Sequence, residues 1–132
     1  MKNILDKATL WLSDTFDTET QQEIQQLISS NSKDLTDRFY KDLEFGTGGM
    51  RGMMGAGTNR INKYTLGKAT QGLSNYLKKS YPNEEIKVAI AYDCRHNSDT
   101  FSRLVAEVLS ANDIKVVVFE DLRPTPELSF AV

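Results

Sequence analysis

The chain has 132 residues, of which 39% are hydrophobic and 26% are charged, and its formal net charge at pH 7 is −2. These values are typical of one soluble domain and argue against a disordered chain or a general nucleic-acid-binding protein. No apolar run approaches the ~20 residues that a membrane-spanning helix needs. Cys94 is the single cysteine, and the N-terminus has acids where a signal peptide has its apolar core, so we expect a cytoplasmic protein.

The first 44 residues predict short helices. Apolar residues recur there at helical spacing, and Thr18 with Gln21 forms a capping box before the second apolar series. A weaker series ends at Leu43, where a cluster of glycines interrupts regular structure. We therefore expect residues 1–44 to form an N-terminal helical extension in front of a main domain over residues 45–132.

A basic, glycine-rich block opens that main domain. Residues 45–80 carry six basic residues and no Asp or Glu, whereas each flank of the block totals −4. Six of the eight glycines stand at its start, from Gly46 to Gly57. Backbone N–H groups without neighbouring side chains, next to the guanidinium of Arg51, suit a phosphate group. We predict an anion site here, and the alternative is a surface loop followed by a solvated basic helix face.

The second half of the chain alternates in type. Helical spacing covers residues 66–77 and 101–109, and apolar runs of strand length cover residues 88–92 and 116–119. Strand, helix and strand within ~35 residues form a βαβ unit, whose parallel strands are buried on both faces. Ligands of such sheets bind beyond the carboxyl ends of the strands, which is where residues 93–98 lie.

The last residues predict one more helix. Thr125-Pro126-Glu127 is a helix-start pattern, and only six residues follow Pro126. A helix that short gains little stability by itself. We therefore expect a chain that is cut inside a helix.

Five motifs stand in order along residues 45–132: Phe45-Gly46-Thr47-Gly48-Gly49-Met50-Arg51-Gly52, Gly57-Thr58-Asn59-Arg60, Ala69-Thr70-Gln71-Gly72-Leu73, Ala91-Tyr92-Asp93-Cys94-Arg95-His96-Asn97-Ser98 and Pro124-Thr125-Pro126. Together they resemble the first domain of the α-D-phosphohexomutases, in the phosphoglucomutase and phosphomannomutase branch. The resemblance implies a three-layer α/β/α fold with a mainly parallel sheet, incomplete in this chain.

The resemblance also implies a mechanism. A phosphorylated serine passes its phosphoryl group to a hexose phosphate, most simply a glucose phosphate, and the bisphosphorylated sugar then returns its other phosphate to the serine. Mg²⁺ and an activator of the glucose 1,6-bisphosphate type serve this reaction in the full-length enzyme. Four domains line the cleft, so the partners of this chain are a hexose phosphate and the remaining domains of the same polypeptide.

The same resemblance assigns roles to single residues. Arg51 lies against the phosphoserine region, and Arg95 clamps the transferring phosphate while Asp93 holds its guanidinium; we predict both arginines as catalytic residues. The loop residues that the resemblance assigns to phosphate binding are Thr47, Gly48 and Gly49. Phosphoryl transfer needs little more than such positioning and charge neutralisation.

Two parts of the family's active site have no counterpart in the sequence. No serine stands in a Thr-Ala-Ser-His-Asn-Pro loop, which holds the family's nucleophile, and no Asp-x-Asp-x-Asp run is present to bind magnesium. We therefore predict no metal ligands in this chain and no turnover by the chain alone. The resemblance implies a sheet truncated before its last strand, which would lie beside residues 88–92. We therefore also expect self-association, either through that edge or by packing of Leu128, Phe130 and Val132 against a neighbour.

Other interpretations remain open at this point. His96 is either a general base or a packing residue, and Cys94 is expected to be a small buried side chain. Gly52-Met53-Met54-Gly55 has the G-x-x-G spacing of RNA-binding KH modules. A non-catalytic anion- or RNA-binding module is therefore the alternative function, and a fragment without ligand affinity is the third.

Overall fold

A computed structural model describes residues 2–46 and 49–132 of the chain. The chain divides into two compact units, Met1–Thr65 and Leu66–Val132. The domain boundary predicted at residue 45 stays a prediction, because compactness by itself does not define a domain.

The first unit consists of three helices, a short antiparallel ribbon and the start of a fourth helix. These elements are α1 (Lys2–Leu10), α2 (Thr18–Ser29), α3 (Lys33–Phe39), β1 (Phe45–Gly46), β2 (Gly49–Met50) and the beginning of α4 (Lys63–Ser80). The short helices predicted in the first 44 residues are present, and so is the helix predicted in the basic block, which extends three residues beyond the predicted 66–77 at each end.

An aromatic cluster forms the core of this unit. The Trp11 ring stacks on Phe16 at 4.5 Å between centroids and meets the edges of Phe39 and Tyr64 at 5.7 Å each. Such pairs contribute about 0.5–1.5 kcal/mol beyond the area they bury. The other buried residues of this core are Ala8, Ile24, Leu35 and Ala56.

The cap of α2 lies one residue before the predicted one. Asp17 accepts a hydrogen bond from the Thr20 amide at 3.0 Å and another from the Thr20 hydroxyl at 2.9 Å. Gln21 does not close a capping box, because its side chain donates to the carbonyl of Phe16 at 2.8 Å. A carboxylate is the better acceptor for exposed helix amides, since it also carries the charge that the helix dipole favours.

The second unit contains the predicted βαβ arrangement. Its elements after α4 are β3 (Lys87–Ile90), α5 (Ser98–Ala111), β4 (Lys115–Val118) and α6 (Thr125–Ala131). The two strands pair in parallel, with Lys87 opposite Lys115 and Ile90 opposite Val118. The α/β class and the parallel pairing are thus confirmed, whereas the three-layer arrangement stays a prediction.

The predicted burial of both strands on both faces is wrong: no residue of β3 or β4 is fully buried, and β4 is the more exposed of the two. Val117 is 63% exposed, and only Val116 of that strand is even partly buried. Within the described residues α5 packs against β4 and α6 against β3, so the far face of β4 has no covering element there. None of the described helices is both long enough and apolar enough to cross a bilayer.

Candidate functional site

The glycine-rich motif forms a narrow hairpin. β1 and β2 pair antiparallel, with Phe45 opposite Met50 and Gly46 opposite Gly49. Gly49 has a φ of +113°, a conformation that side chains disfavour. Thr47 and Gly48, which the sequence assigns to phosphate binding, lie outside the described residues.

Arg51 follows the second strand of this hairpin directly. Its side chain is exposed and makes no hydrogen bond or ion pair with any residue that the structure describes. An unpaired guanidinium beside a glycine backbone keeps all five of its N–H donors for an external anion. Arg51 therefore retains the capacity for phosphate binding that the sequence predicts for it.

The base of the hairpin is packed tightly. The Leu43 amide donates to the carbonyl of Thr58 at 2.8 Å, and the Ile61 amide donates to the carbonyl of Met53 at 2.8 Å. A Cβ atom on Gly52 would lie 2.9 Å from Leu43 Cδ1, so a side chain there would push against the chain that enters the hairpin. Both ends of the hairpin are thus held by the segment that follows Gly57.

Arg60 is not available to an external anion, although it belongs to the basic block. It is 3% exposed, and its Nη2 donates to Asp34 Oδ1 at 2.9 Å and to Asp37 Oδ2 at 2.7 Å. Lys63 of the same block pairs with Asp17 at 2.8 Å. The positive charge of the block is thus partly neutralised from within the chain, by acids of the N-terminal flank.

A second arginine completes this partly buried ion network. Arg38 donates to Asp34 at 2.6 Å, to Glu23 at 2.5 Å and to the carbonyl of Ala56 at 3.0 Å. Hydrogen bonds from Arg38, with the charge of Arg60 beside them, hold the pKa of Asp34 below its ordinary value. The network fastens α2 and α3 to residues 55–57.

Asp93 and Arg95, in the second unit, meet as the sequence suggests. Asp93 accepts from the Arg95 backbone amide at 3.1 Å and from Arg95 Nε at 2.7 Å. The hydrogen bond from that backbone amide is the main reason that the pKa of Asp93 is lowered, and the Arg95 guanidinium lowers it further. The Arg95 side chain is 84% exposed, so its guanidinium faces solvent while Asp93 fixes one edge of it.

This loop begins at the carboxyl end of β3, where parallel sheets bind ligands. The Asp93 amide donates to the Ser98 hydroxyl at 3.2 Å, and Asn97 takes a left-handed conformation, with a φ of 62°, at the start of α5.

His96 and Cys94 are both exposed, so the expected burial of Cys94 is wrong. Because Arg51 and Arg95 belong to different compact units, their convergence on one phosphate stays a prediction.

Sequence reasoning counted Arg60 among the cations for an external anion, and it did not identify the residues that hold the hairpin in place. They are Glu23, Asp34, Asp37, Arg38, Thr58, Asn59, Arg60 and Asn62. The signal that could have found them is the excess of acids before residue 45, next to a block of bases without acids. The side chain of Asn62 joins the glycine-rich segment to α4. Its amide nitrogen donates to the carbonyls of Gly55 and Gly57 at 2.9 and 3.0 Å, and its oxygen accepts from the backbone amides of Tyr64 and Thr65.

Within residues 2–46 and 49–132, no three His, Cys, Asp or Glu side chains come together as a metal site requires. The magnesium that the family resemblance implies therefore finds no ligand set in the described part of this chain.

Comparison with known proteins agrees with the motifs. The family described as phosphoglucomutase/phosphomannomutase, alpha/beta/alpha domain I, matches residues 42–132. The chain belongs to this family. The match covers the hairpin with Arg51, the Asp93–Arg95 loop and the parallel strands β3 and β4. Membership in the phosphoglucomutase/phosphomannomutase family does not favour the RNA-binding alternative.

Curated relatives extend the likeness over the helical lead-in. The phosphoglucomutase of Staphylococcus epidermidis strain ATCC 35984 is 36% identical over 136 residues, covering 100% of this chain and 22% of that protein. The phosphoglucomutase of Staphylococcus haemolyticus strain JCSC1435 is 42% identical, covering 71% of this chain and 17% of that protein. The phosphoglucomutase of Staphylococcus aureus strain RF122 is 37% identical, covering 93% of this chain and 21% of that protein. The chain thus spans about a fifth of the length of these relatives. No solved structure matches the chain.

Proposed function

We propose that the chain provides phosphate-binding loops of a cytoplasmic phosphohexomutase that interconverts hexose 1-phosphate and hexose 6-phosphate. The observation that carries the proposal is Arg51: it is exposed beside a glycine hairpin and has no hydrogen-bond or ion-pair partner among the described residues, whereas Arg60 and Lys63 are already paired. The names of the relatives support glucose as the sugar. Because those relatives are about five times longer, the activity of a complete enzyme is part of the proposal.

In the proposed reaction, an O–P bond to the sugar forms as the O–P bond of a phosphoserine breaks. The sugar hydroxyl gives up its proton, and the released serine oxygen takes one up. The bisphosphorylated sugar then returns its other phosphate to the serine, so no water is consumed. Arg51 neutralises charge on the phosphoserine side, and Arg95, with one edge held by Asp93, binds oxygens of the group in transfer. Preorganised cations of this kind stabilise the charge that spreads over the phosphoryl oxygens.

The chain supplies only part of this machinery. No serine of this sequence stands in the nucleophile's motif, so the phosphoserine and the Mg²⁺ ligands are assigned to other parts of the same polypeptide. We derive no step through the metal. A bisphosphorylated sugar would serve as activator by phosphorylating that serine.

The first test concerns catalysis in a full-length enzyme that carries this chain. Arg51→Ala and Arg95→Ala should each lower kcat by ~10²-fold or more, because each removes one charge-stabilising group. Lys79→Ala, on the exposed last turn of α4, is the matched control and should leave kcat unchanged. The 132-residue chain alone should show no turnover of glucose 1-phosphate. Full activity of both arginine variants would overturn the assignment.

The second test uses inorganic phosphate with the 132-residue chain. We expect binding at about millimolar affinity, with amide shifts at Gly49 and Gly52 that disappear in Arg51→Ala. Shifts confined to Lys63, Lys68, Lys78 and Lys79 would favour a solvated helix face instead.

A further inference from the structure

One short segment contacts both sides of the hairpin that carries Arg51. The carbonyl of Thr58 accepts from Leu43, two residues before β1, and the amide of Ile61 donates to Met53, two residues after Arg51. The two contacts are 2.8 Å each. The separation and direction of the hairpin's two ends are therefore set by residues 58–61.

The same segment is fastened to the end of α3. Asn59 donates from its amide to the carbonyl of Arg38 and from its side chain to the carbonyl of Asp37, both at 2.9 Å. The Thr58 hydroxyl donates to the carbonyl of Lys41 at 2.7 Å. Carbonyls at a helix C-terminus lack partners inside the helix, so these bonds satisfy groups that would otherwise need water.

Charge and shape reinforce this attachment. Arg60 bridges the carboxylates of Asp34 and Asp37 from a nearly solvent-free position. Gly57, with a φ of +127°, brings the chain so close to α3 that a Cβ atom there would lie 2.8 Å from the carbonyl oxygen of Arg38. The segment is thus held by backbone bonds, ion pairs and close packing at once.

We propose that Thr58, Asn59 and Arg60 form a clamp of positioning residues that aims Arg51 at phosphate; the proposal rests on the proposed function. Thr58 of the clamp accepts from Leu43 in front of the hairpin, and Ile61, the residue directly after the clamp, donates to Met53, two residues after Arg51. Phosphate binding by guanidinium depends on geometry, because two oxygens must meet two N–H groups together. A site whose supporting residues are fixed loses little freedom on binding, and one left loose binds less well.

The experiment compares variants of the 132-residue chain. Thr58→Val keeps the side-chain volume and removes the bond to Lys41, and Asp37→Asn removes one of the two carboxylates on Arg60. Thr58→Ser restores the hydroxyl. Thr20→Val is the matched control, because it removes a hydroxyl bond of 2.9 Å to Asp17 in the same unit but away from the clamp.

Three measurements are made on each variant: urea unfolding, amide hydrogen exchange at Gly49–Gly52, and the Kd for inorganic phosphate. We expect Thr58→Val and Asp37→Asn to exchange faster at these amides and to weaken phosphate binding about three- to tenfold, the loss typical of one hydrogen bond. Thr58→Ser should bind like the unaltered chain. Thr20→Val should lose stability without either of the other effects.

The outcomes separate the two proposals. If Arg51→Ala abolishes phosphate binding while Thr58→Val and Asp37→Asn bind normally, the clamp is wrong and the proposed site stands. If both clamp variants loosen the hairpin amides but Arg51→Ala leaves phosphate binding unchanged, the proposed site is wrong and the clamp is only structural. If Thr20→Val weakens phosphate binding as much as Thr58→Val, the effect is general destabilisation and the clamp is wrong.

Discussion

The Tyr64 hydroxyl donates to Asp17 Oδ2 at 2.6 Å and accepts from the Asp17 backbone amide at 2.7 Å. These two bonds join the start of α2 to the start of α4 across 47 residues of sequence. Tyr64→Phe should lower the free energy of unfolding by about 1–3 kcal/mol, since the ring still packs but a bond to a charged group is lost. Tyr76→Phe, at an exposed position of α4, should change nothing in the same urea titration. Equal effects at the two tyrosines would contradict the prediction.

Acid should weaken the first unit through Asp17. Hydrogen bonds from Lys63, Tyr64 and the Thr20 amide hold the pKa of Asp17 well below its ordinary value of 3.8. Because the folded-state pKa is the lower one, this stabilisation is complete above about pH 4 and is lost as the pH falls below that value. Asp17→Asn keeps a good cap but removes the charge, so its unfolding free energy should be lower at pH 7 and should fall less between pH 4 and pH 2.

The measurement is urea unfolding of both proteins at pH 7, 4, 3 and 2. Asp34, whose pKa is also lowered, keeps some acid sensitivity in the variant. Identical losses in the variant and the unaltered chain would show that Asp17 does not contribute.

Two glycines should respond to alanine in opposite directions. Gly57→Ala should lower the free energy of unfolding by about 1–3 kcal/mol. The positive φ of Gly57 is unfavourable for alanine, and the added Cβ would lie 2.8 Å from the backbone carbonyl oxygen of Arg38. Gly72→Ala, inside α4 with no atom within 4 Å of the added Cβ, should stabilise it by about 0.5–1 kcal/mol. Thermal unfolding of the two variants decides the matter, and a stable Gly57→Ala protein would mean that residues 55–57 do not press against α3.

Local pattern was enough to predict much of the secondary structure. α4, α5, β3 and β4 have strong periodicity or unbroken apolar runs, and their bounds differ from the predicted ones by a few residues. The Asp93–Arg95 contact was also predictable, because the two residues are neighbours in one loop. The predicted burial of β4 failed because the rule for parallel strands assumes helices on both faces, and the described residues supply one.

The ion network around Arg60 could not be predicted from local sequence patterns. Its carboxylate partners precede it by 26 and 23 residues, and no spacing rule tells which acid meets which base at that distance. The charge contrast between residues 1–44 and 45–80 was visible, and it was interpreted as a sign of an external anion. Acids of residues 1–44 already pair with Arg60 and Lys63, so a count of charges overstates the number of cations that are left for a ligand.

Exposed apolar side chains in the second unit predict self-association of the 132-residue chain. Phe130 is 91% exposed and Val132 is 95% exposed, and Val117 lies uncovered on β4. Large exposed apolar groups near an unpaired strand edge recruit other chains. Phe130→Ser combined with Val117→Lys should shift sedimentation towards the monomer, whereas Leu10→Ser, at an exposed site of the first unit, should not. A clean monomer of the unaltered chain at high concentration would refute this expectation.

The attachment of residues 58–60 to α3 means that the glycine hairpin is not a transferable part. A graft of residues 42–62 onto another scaffold would carry Arg60 without its two carboxylates and would leave Asn59 without the carbonyls it caps. The family match begins at residue 42, yet the acceptors that hold the hairpin's support lie before that position. The segment that is similar to the family therefore starts later in the chain than the segment that the hairpin needs for its support.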